Sequence, residues 1–408
     1  MTTATAPTLK DANPASAAVI LSTMLESRKP ALPAKPAETA LAVVPPAPRE
    51  PGIYFGLPER DYHADPSLGS TDHKRLLRST MDYWSDSWMN PRRDPENHDT
   101  PAKKQGRALH KLVLEGRAAF HKAYIAEPQP ADWPKALRTA DDLKAVLREA
   151  GEKLAGDKAE LIKRVKGLIA AGTLPQDTIV WDEVLANFQA VADRDRLEVL
   201  KPDVLAQVET AGHMIAMNPH LANAFKGGVS EVSVFWRGIG GIPLKARYDY
   251  LKPFAIPDLK KCENKGEHPF PVACRLALRS YRYDMQVQHY LEGGYPAFLD
   301  HARAGRIFGD CPLPVGFAQH MAAAADMTFT LVFHQTSGAP VSYGMEIEAG
   351  SPVLARARSE VAFAQQQWLS CMERFGTSEW VSEEPIHRLT TEDMPYEWRI
   401  AAEMAEAA

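Results

Sequence analysis

Asp249, Asp258 and Lys260 lie within "KARYDYLKPFAIPDLKK", Lys245 to Lys261, a stretch that otherwise reads as two strands around a Lys252-Pro253 break. Carboxylates are costly to bury unless a cation or a hydrogen-bond network compensates them. On a strand, residues two apart share a face, so Asp258 and Lys260 project together while Leu259 points to the opposite, packed side. A chain reversal at Lys252-Pro253 would bring Asp249 back beside them in a hairpin. Two carboxylates so placed repel and raise one pKa, unless a divalent cation holds them ionised; hard oxygen ligands of this kind suit Mg²⁺ or Mn²⁺. A metal beside a lysine is suited to generating or orienting hydroxide and to stabilising charge on a phosphate under attack.

The elements that must position these groups are legible around them. "GVSEVSVFWRG" and "GIPLKARYDYL" read as strands joined by a Gly-rich turn, with "FAIPDLKK" after them. One long helix is expected over "ACRLALRSYRYDMQVQHYLEGGYPAFLDHARAG", then a hairpin from "MTFTLVFHQTSG" and "PVSYGMEIE", then a closing helix, "VLARARSEVAFAQQQWLSCMERF". Upstream, Ser70-Thr71 can cap a helix carrying Leu76 and Leu77, and "KKQGRALHKLVLEGRAAF" sets Leu109, Leu112, Val113 and Phe120 near one face. Helices, a run of strands, a helix and a hairpin predict an α/β core with a mixed sheet flanked by helices.

At 408 residues, 45% hydrophobic and 24% charged, the composition is that of an ordinary globular protein. No run approaches the ~18 apolar residues of a membrane span, and the start lacks signal-peptide character, so a cytoplasmic protein with no membrane partner is expected. Cys262, Cys274, Cys311 and Cys371 form no CxxC and are expected to be reduced and structural. The net charge of -5 gives no global attraction to nucleic acid, leaving local basic patches or bound metal to supply it. Residues 1–50 are rich in Ala and Pro and are expected to form a disordered tail, with the folded domain over 51–408. Within that domain, residues 139–170 read as a helical insert of two short amphipathic helices around a Gly-containing corner. Between Lys135 and Lys166 nine Lys/Arg face six Asp/Glu, a local balance of +3. A solvated helical hairpin accounts for that pattern as well as a binding module does.

"KARYDYL…IPDLKK" resembles the D…(D/E)xK core of the PD-(D/E)xK nuclease superfamily, and its setting resembles the RecE-type exodeoxyribonuclease VIII branch of the RecB-like group. "GRALHKLVLE" is similar to that branch's early GxxxH-type helix, "SEVSVFW" to the strand whose Glu231 precedes the metal carboxylates, and "YDMQVQHYLEG" to its QxxxY helix, with Gln286 and Tyr290. "YHADPSLGSTDHKRLLRSTMDYW" looks like its entry to the nuclease domain. The insert resembles small SAP or helix-extended-loop-helix DNA-binding modules. The resemblance spans roughly residues 54 to 300. A lone DxK or GxxxH is weak; the order His110, Glu231, Asp249, Asp258, Lys260, Gln286, Tyr290 is far more specific. Pro257, which removes a ladder hydrogen bond, and Lys261, where a Thr is usual, depart from the pattern.

The resemblance implies a restriction-endonuclease-like fold and a Mg²⁺-dependent (or Mn²⁺-dependent) deoxyribonuclease of phage or prophage type. Such an enzyme would degrade double-stranded DNA from 5′ ends and leave 3′ single strands for recombination. It further implies that Asp249, Asp258, the backbone carbonyl of Leu259 and His110 hold metal, that Lys260 orients or deprotonates water, and that Glu231 supports the site or a second metal. A ring-like homo-oligomer and a single-strand annealing partner belong to the same expectation. Arg275, Arg279, Arg282, Gln286 and Tyr290 advance by four, three, four and four residues, one polar stripe that either lines a DNA channel or forms a salt-bridged solvent face. Two rival readings stay open: a non-catalytic DNA-binding recombination accessory, and an endonuclease or flap-type enzyme of the same superfamily.

Overall fold

Short runs of β-branched and aromatic residues supply the strands of this computed structural model, which describes residues 46–93, 100–264, 268–310, 312, 316–323, 327–381 and 386–406. In chain order they are β1 (Gly52–Tyr54), β2 (Tyr124–Ala126), β3 (Glu198–Leu200), β4 (Val229–Arg237), β5 (Pro243–Leu251), β6 (Ala255–Cys262), β7 (Ile307–Phe308), β8 (Thr328–Gln335) and β9 (Ser342–Glu348). The helices that matter below are α1 (Ser70–Arg78), α2 (Pro101–Glu115), α3 (Ala140–Glu149), α4 (Lys158–Ala170), α5 (Trp181–Asp195), α6 (Pro202–Met217), α7 (Phe270–Ser280), α8 (Tyr283–Val287), α9 (Tyr295–Arg303) and α10 (Ala355–Phe375).

Among the described residues three sheets result, ordered β5-β4-β1-β7, β6-β8-β9 and β2-β3. β4 pairs antiparallel with β5 and with β1, β1 runs parallel to β7, β6 runs parallel to β8, and β8 pairs antiparallel with β9. The architecture is thus mixed α/β with helices against mixed sheets, the class expected from the sequence. Its main core joins Ile53, Val232, Val234, Ala246 and Tyr248 to Phe329 and Phe333, and takes in Leu76 of α1 and Ala364 of α10. A second core packs Ala108 and Leu109 of α2 and Val208, Ala211 and Ile215 of α6 against Leu259 and Val332. That packing seats α2 over β6.

Three expectations are corrected. The reversal after β5 does form, with Lys252 N donating to Ala255 O at 2.9 Å. Yet β5 and β6 make no ladder with each other among the described residues; they belong to different sheets. Pro257 has no N–H to offer β5, and β6 instead aligns with β8 over its whole length. The long helix expected from Ala273 onward is also broken. After α7 the chain turns at Tyr281 and Arg282, whose φ of 52° is left-handed. It then continues through α8, a π-helical turn (Gln288–Gly294) and α9. Gly294 permits the π turn to lie on β5, since a Cβ there would sit 2.7 Å from the Tyr248 hydroxyl. At the start of α1 the cap is also different: Gly69 is the N-cap and Asp72 Oδ2 accepts from its N–H at 2.8 Å, while Ser70 and Thr71 lie inside the helix.

The insert has a core of its own. Leu143 and Leu147 of α3 and Leu161 and Val165 of α4 close on Val180, with Leu137 and Leu174 packed against them. Its two ends meet, because Leu137 N donates to Ile179 O at 2.8 Å and Trp181 N donates to Leu137 O at 3.0 Å. The unit therefore reaches from about residue 137 to 180 and exceeds the expected 139–170 at its C-terminal side. Cys262 and Cys274 are buried free thiols, Cys371 is buried, and Cys311 lies outside the described residues. The Ala/Pro-rich tail expected over 1–50 lies, as far as residue 45, outside them too. Among the described residues no helix is long and apolar enough to cross a membrane.

Candidate active site

The split between β5 and β6 is bridged by a side chain. Asp249 Oδ2 accepts a hydrogen bond from Leu259 N at 2.9 Å, doing for that amide what a ladder partner would have done. Above it, α2 begins with the Thr100 hydroxyl accepting from Lys103 N and Pro101 in the first turn, and it delivers His110 one position after the buried Leu109. His110 Nε2 lies 3.2 Å from Leu259 O, and its Nδ1 lies 3.7 Å from Asp249 Oδ2. Both ring nitrogens thus face the β5–β6 junction.

Glu231 joins them from β4. Ser230 pairs with Tyr250 and Val232 with Tyr248, which sets Glu231 opposite Asp249 in the same register. Its φ of 58° is unusual for a residue with a Cβ. Arg247, one pleat along β5, pairs with Glu231 and donates to Leu57 O at 2.8 Å. One ligand atom each from His110, Glu231 and Asp249 lies within 4.8 Å of the others, so these three residues could hold a metal ion.

Asp258 faces the same region but has other company. Its side chain is 1% exposed and pairs with Lys260 Nζ through Oδ2, while Oδ1 accepts from Gln286 Nε2 at 2.8 Å. Both Asp258 oxygens thus have a polar partner, Lys260 at Oδ2 and Gln286 at Oδ1. Of the expected metal ligands, then, His110 and Asp249 converge together with Glu231, and the Leu259 carbonyl meets His110. Asp258 stands outside that three-residue group.

Electrostatics tie the set together. Burial, then the charge of Asp258, pushes the Asp249 carboxyl up to about 7. Glu231 is also raised by burial and by Asp249, against the pull of Arg247. Burial lowers the His110 imidazole, and the Lys260 charge lowers it further. For Lys260 itself burial alone would lower the ammonium, but Asp258 and Asp249 overcome that and hold it raised. A centre whose carboxylates resist ionisation until a cation arrives, with hard oxygens and one imidazole, fits a divalent metal.

The polar stripe expected on one helix is divided by the break after α7. Arg275 and Arg279 are exposed on α7. Arg282 instead forms the corner, held by Asp284 at 3.0 and 2.9 Å and by Glu360 of α10. Gln286 is buried against Asp258. The π turn carries Tyr290 under Tyr248, whose hydroxyl donates to Tyr290 O at 3.3 Å, and burial raises the Tyr290 phenol. Sequence reasoning missed Arg247, Lys74 and Tyr283. Lys74 of α1 and Lys260 both lie over the Tyr283 ring, at 5.7 and 5.3 Å from its centroid. No local pattern marks Lys74, which reaches the site only because α1 packs there. Arg247 had one signal, its place two residues before Asp249 on the same strand face.

Residues 136–170 match the SAP domain family. The chain is also similar to the crystal structure of a protein from Eubacterium rectale provisionally named an exonuclease, with 14% identity and a TM-score of 0.30 over 65% of this chain and 92% of that one. No curated protein matches the chain.

Proposed function

We propose that the protein is a Mg²⁺-dependent (or Mn²⁺-dependent) deoxyribonuclease that digests double-stranded DNA from its 5′ ends and leaves 3′ single strands for recombination. The observation that carries this reading is the convergence of His110, Glu231 and Asp249 from three separate elements beside the buried Asp258–Lys260 pair. The SAP match at residues 136–170 supports DNA as the substrate.

In this mechanism His110, Glu231 and Asp249 would hold the cation, with the Leu259 carbonyl and Asp258 beside them. When bound, it supplies Lewis acidity toward the phosphate under attack. Lys260 stays an ammonium because two carboxylates hold its proton, so it acts as a donor that orients the attacking water and stabilises phosphate charge. Gln286 fixes the Asp258 carboxylate and so the position of Lys260. The half-buried Tyr290 and the Arg247–Glu231 pair brace the walls. Arg275 and Arg279 on α7 face solvent, where they contact phosphates of incoming duplex. A ring-like homo-oligomer and an annealing partner complete the proposal.

Incubating linear and closed circular duplex with and without Mg²⁺ tests it. Linear DNA should shorten only with metal, the circle should survive, and Lys260→Ala should abolish the product. Cleavage of the circle points to an endonuclease instead, and binding without any metal-dependent product points to an accessory protein.

A further inference from the structure

The corner after α7 sets an aromatic ring where the proposed site meets solvent. Tyr281 is 61% exposed, and its ring stacks on Tyr283 with centroids 5.6 Å apart and planes 28° from parallel. Tyr283 in turn carries the ammonium groups of Lys260 and Lys74 over its ring, at 5.3 and 5.7 Å from the centroid. Lys74 Nζ also donates to Tyr281 O at 2.8 Å. Asp258 pairs with Lys260, and Asp284 and Glu360 pair with Arg282, whereas Lys74 has no carboxylate within ion-pair distance among the described residues. The corner is stiff: Arg282 holds a left-handed φ of 52° and is clamped by Asp284 and by Glu360.

An exposed π face fixed next to an ammonium without an ion-pair partner has the two features a nucleotide needs, a platform for the base and a cation for the phosphate. We propose that Tyr281, backed by Tyr283, stacks on one nucleobase of the strand entering the site, while Lys74 contacts the neighbouring phosphate. The assignment rests on the nuclease reading for its substrate, but it requires binding alone and no cleavage. Tyr281 and Lys74 are therefore substrate-binding residues that place the strand against Lys260.

The test is fluorescence anisotropy in EDTA with short duplexes, each carrying a single abasic site at one nucleotide near an end. Wild-type protein should lose about tenfold in affinity at one abasic position and little at the others, the order that stacking on an aromatic ring gives. Tyr281→Ala should bind intact duplex about tenfold more weakly and lose nothing further at that position, whereas Tyr281→Phe should behave as wild type. Lys74→Gln should weaken binding to every duplex and shorten the salt dependence by about one phosphate contact, yet keep the abasic pattern. Equal abasic sensitivity in wild type and Tyr281→Ala overturns the proposal, as does unchanged affinity of Tyr281→Ala for intact duplex. Because the readout needs no turnover, a Tyr281-dependent abasic pattern without metal-dependent cleavage would remove the nuclease reading and leave the stacking site. Normal cleavage with no such pattern would do the reverse.

Discussion

Glu231 and Asp249 stand opposite each other across the β4–β5 ladder, and each presents a carboxylate oxygen within 4.8 Å of the other and of a His110 nitrogen. Like charges directly opposed on a sheet are destabilising. Here the arrangement is kept at the further expense of a left-handed backbone at Glu231. Strain and repulsion gathered at one point fit the proposed cation-binding centre better than a purely structural stretch of sheet.

Removing the charge at Asp249 should accordingly stabilise the metal-free protein while abolishing metal binding. Asp249→Asn keeps an acceptor for Leu259 N and relieves repulsion from Asp258, so a gain of about 1 kcal/mol or more is expected in urea unfolding at neutral pH. Isothermal titration with Mg²⁺ should show affinity at least about 100-fold weaker, the scale on which loss of a metal-site group acts. A destabilised variant that still binds Mg²⁺ would contradict the assignment.

The same residue sets a pH window. A carboxyl raised to about 7 in the folded state, from 3.8, contributes stability below pH 3.8 that is lost as pH rises through 7. His289 and His334, both lowered by burial to about 4, act oppositely, since their stability is present above the usual imidazole range and lost as pH falls toward 4. The difference in stability between Asp249→Asn and wild type cancels the histidines. It should grow between pH 4 and 7 and level off above. Metal affinity of the wild type should fall about tenfold per pH unit below 7, because binding must displace that proton.

Lys260 and Asp258 form a buried pair, so the two residues should be separable by a double-mutant cycle. Lys260→Met alone leaves the Asp258 charge unpaired and should cost about 3–5 kcal/mol in denaturant unfolding. Adding Asp258→Asn should restore most of that stability without restoring cleavage. If the double variant remains as unstable as the single one, the ion pair is not what holds this region.

Gly294 tests the helix that carries Gln286 and Tyr290. A methyl group there would meet the Tyr248 hydroxyl at 2.7 Å and the Ala246 Cβ at 3.4 Å, and both sit on buried β5 backbone that cannot retreat. Gly294→Ala should cost about 1–3 kcal/mol in thermal or urea unfolding and lower the cleavage rate with it. Gly167→Ala in α4, where an added methyl would meet nothing within 4 Å, provides the comparison for a helical glycine without the clash.

The insert offers a cut that leaves the rest intact. Because Leu137 and Val180 pair at its base, replacing residues 138–179 by a short Gly linker should give a folded protein that cleaves short duplexes with metal and binds DNA more weakly. Deleting only 139–170 strands the apolar Leu174 and Val180 and should lower solubility. Unchanged DNA affinity after the wider excision would return the segment to a helical hairpin without a binding role.

Much of this architecture could be read from periodicity. The β4–β5 and β8–β9 hairpins, α10 and the two helices of the insert follow from alternation, heptad-like spacing and Gly at the turns, which are local properties. The helix break after α7 was not readable, because the text from Ala273 keeps helical spacing throughout. What stops it is a clamp on Arg282 from Glu360, a residue far along the chain. The separation of β5 from β6 was equally hidden, although Pro257 marked where a ladder bond must fail.

By itself the sequence determined which residues carry charge in an otherwise apolar hairpin, and that His110 sits on an apolar-faced helix, since face and period are set by the backbone repeat. Only the tertiary structure decided the grouping: Glu231 beside Asp249 and His110, Asp258 given to Lys260 and Gln286, Lys74 and Tyr281 at the rim. Those choices depend on which sheet β6 joins and where α1, α2 and α10 pack, and such long-range contacts leave no trace in local spacing.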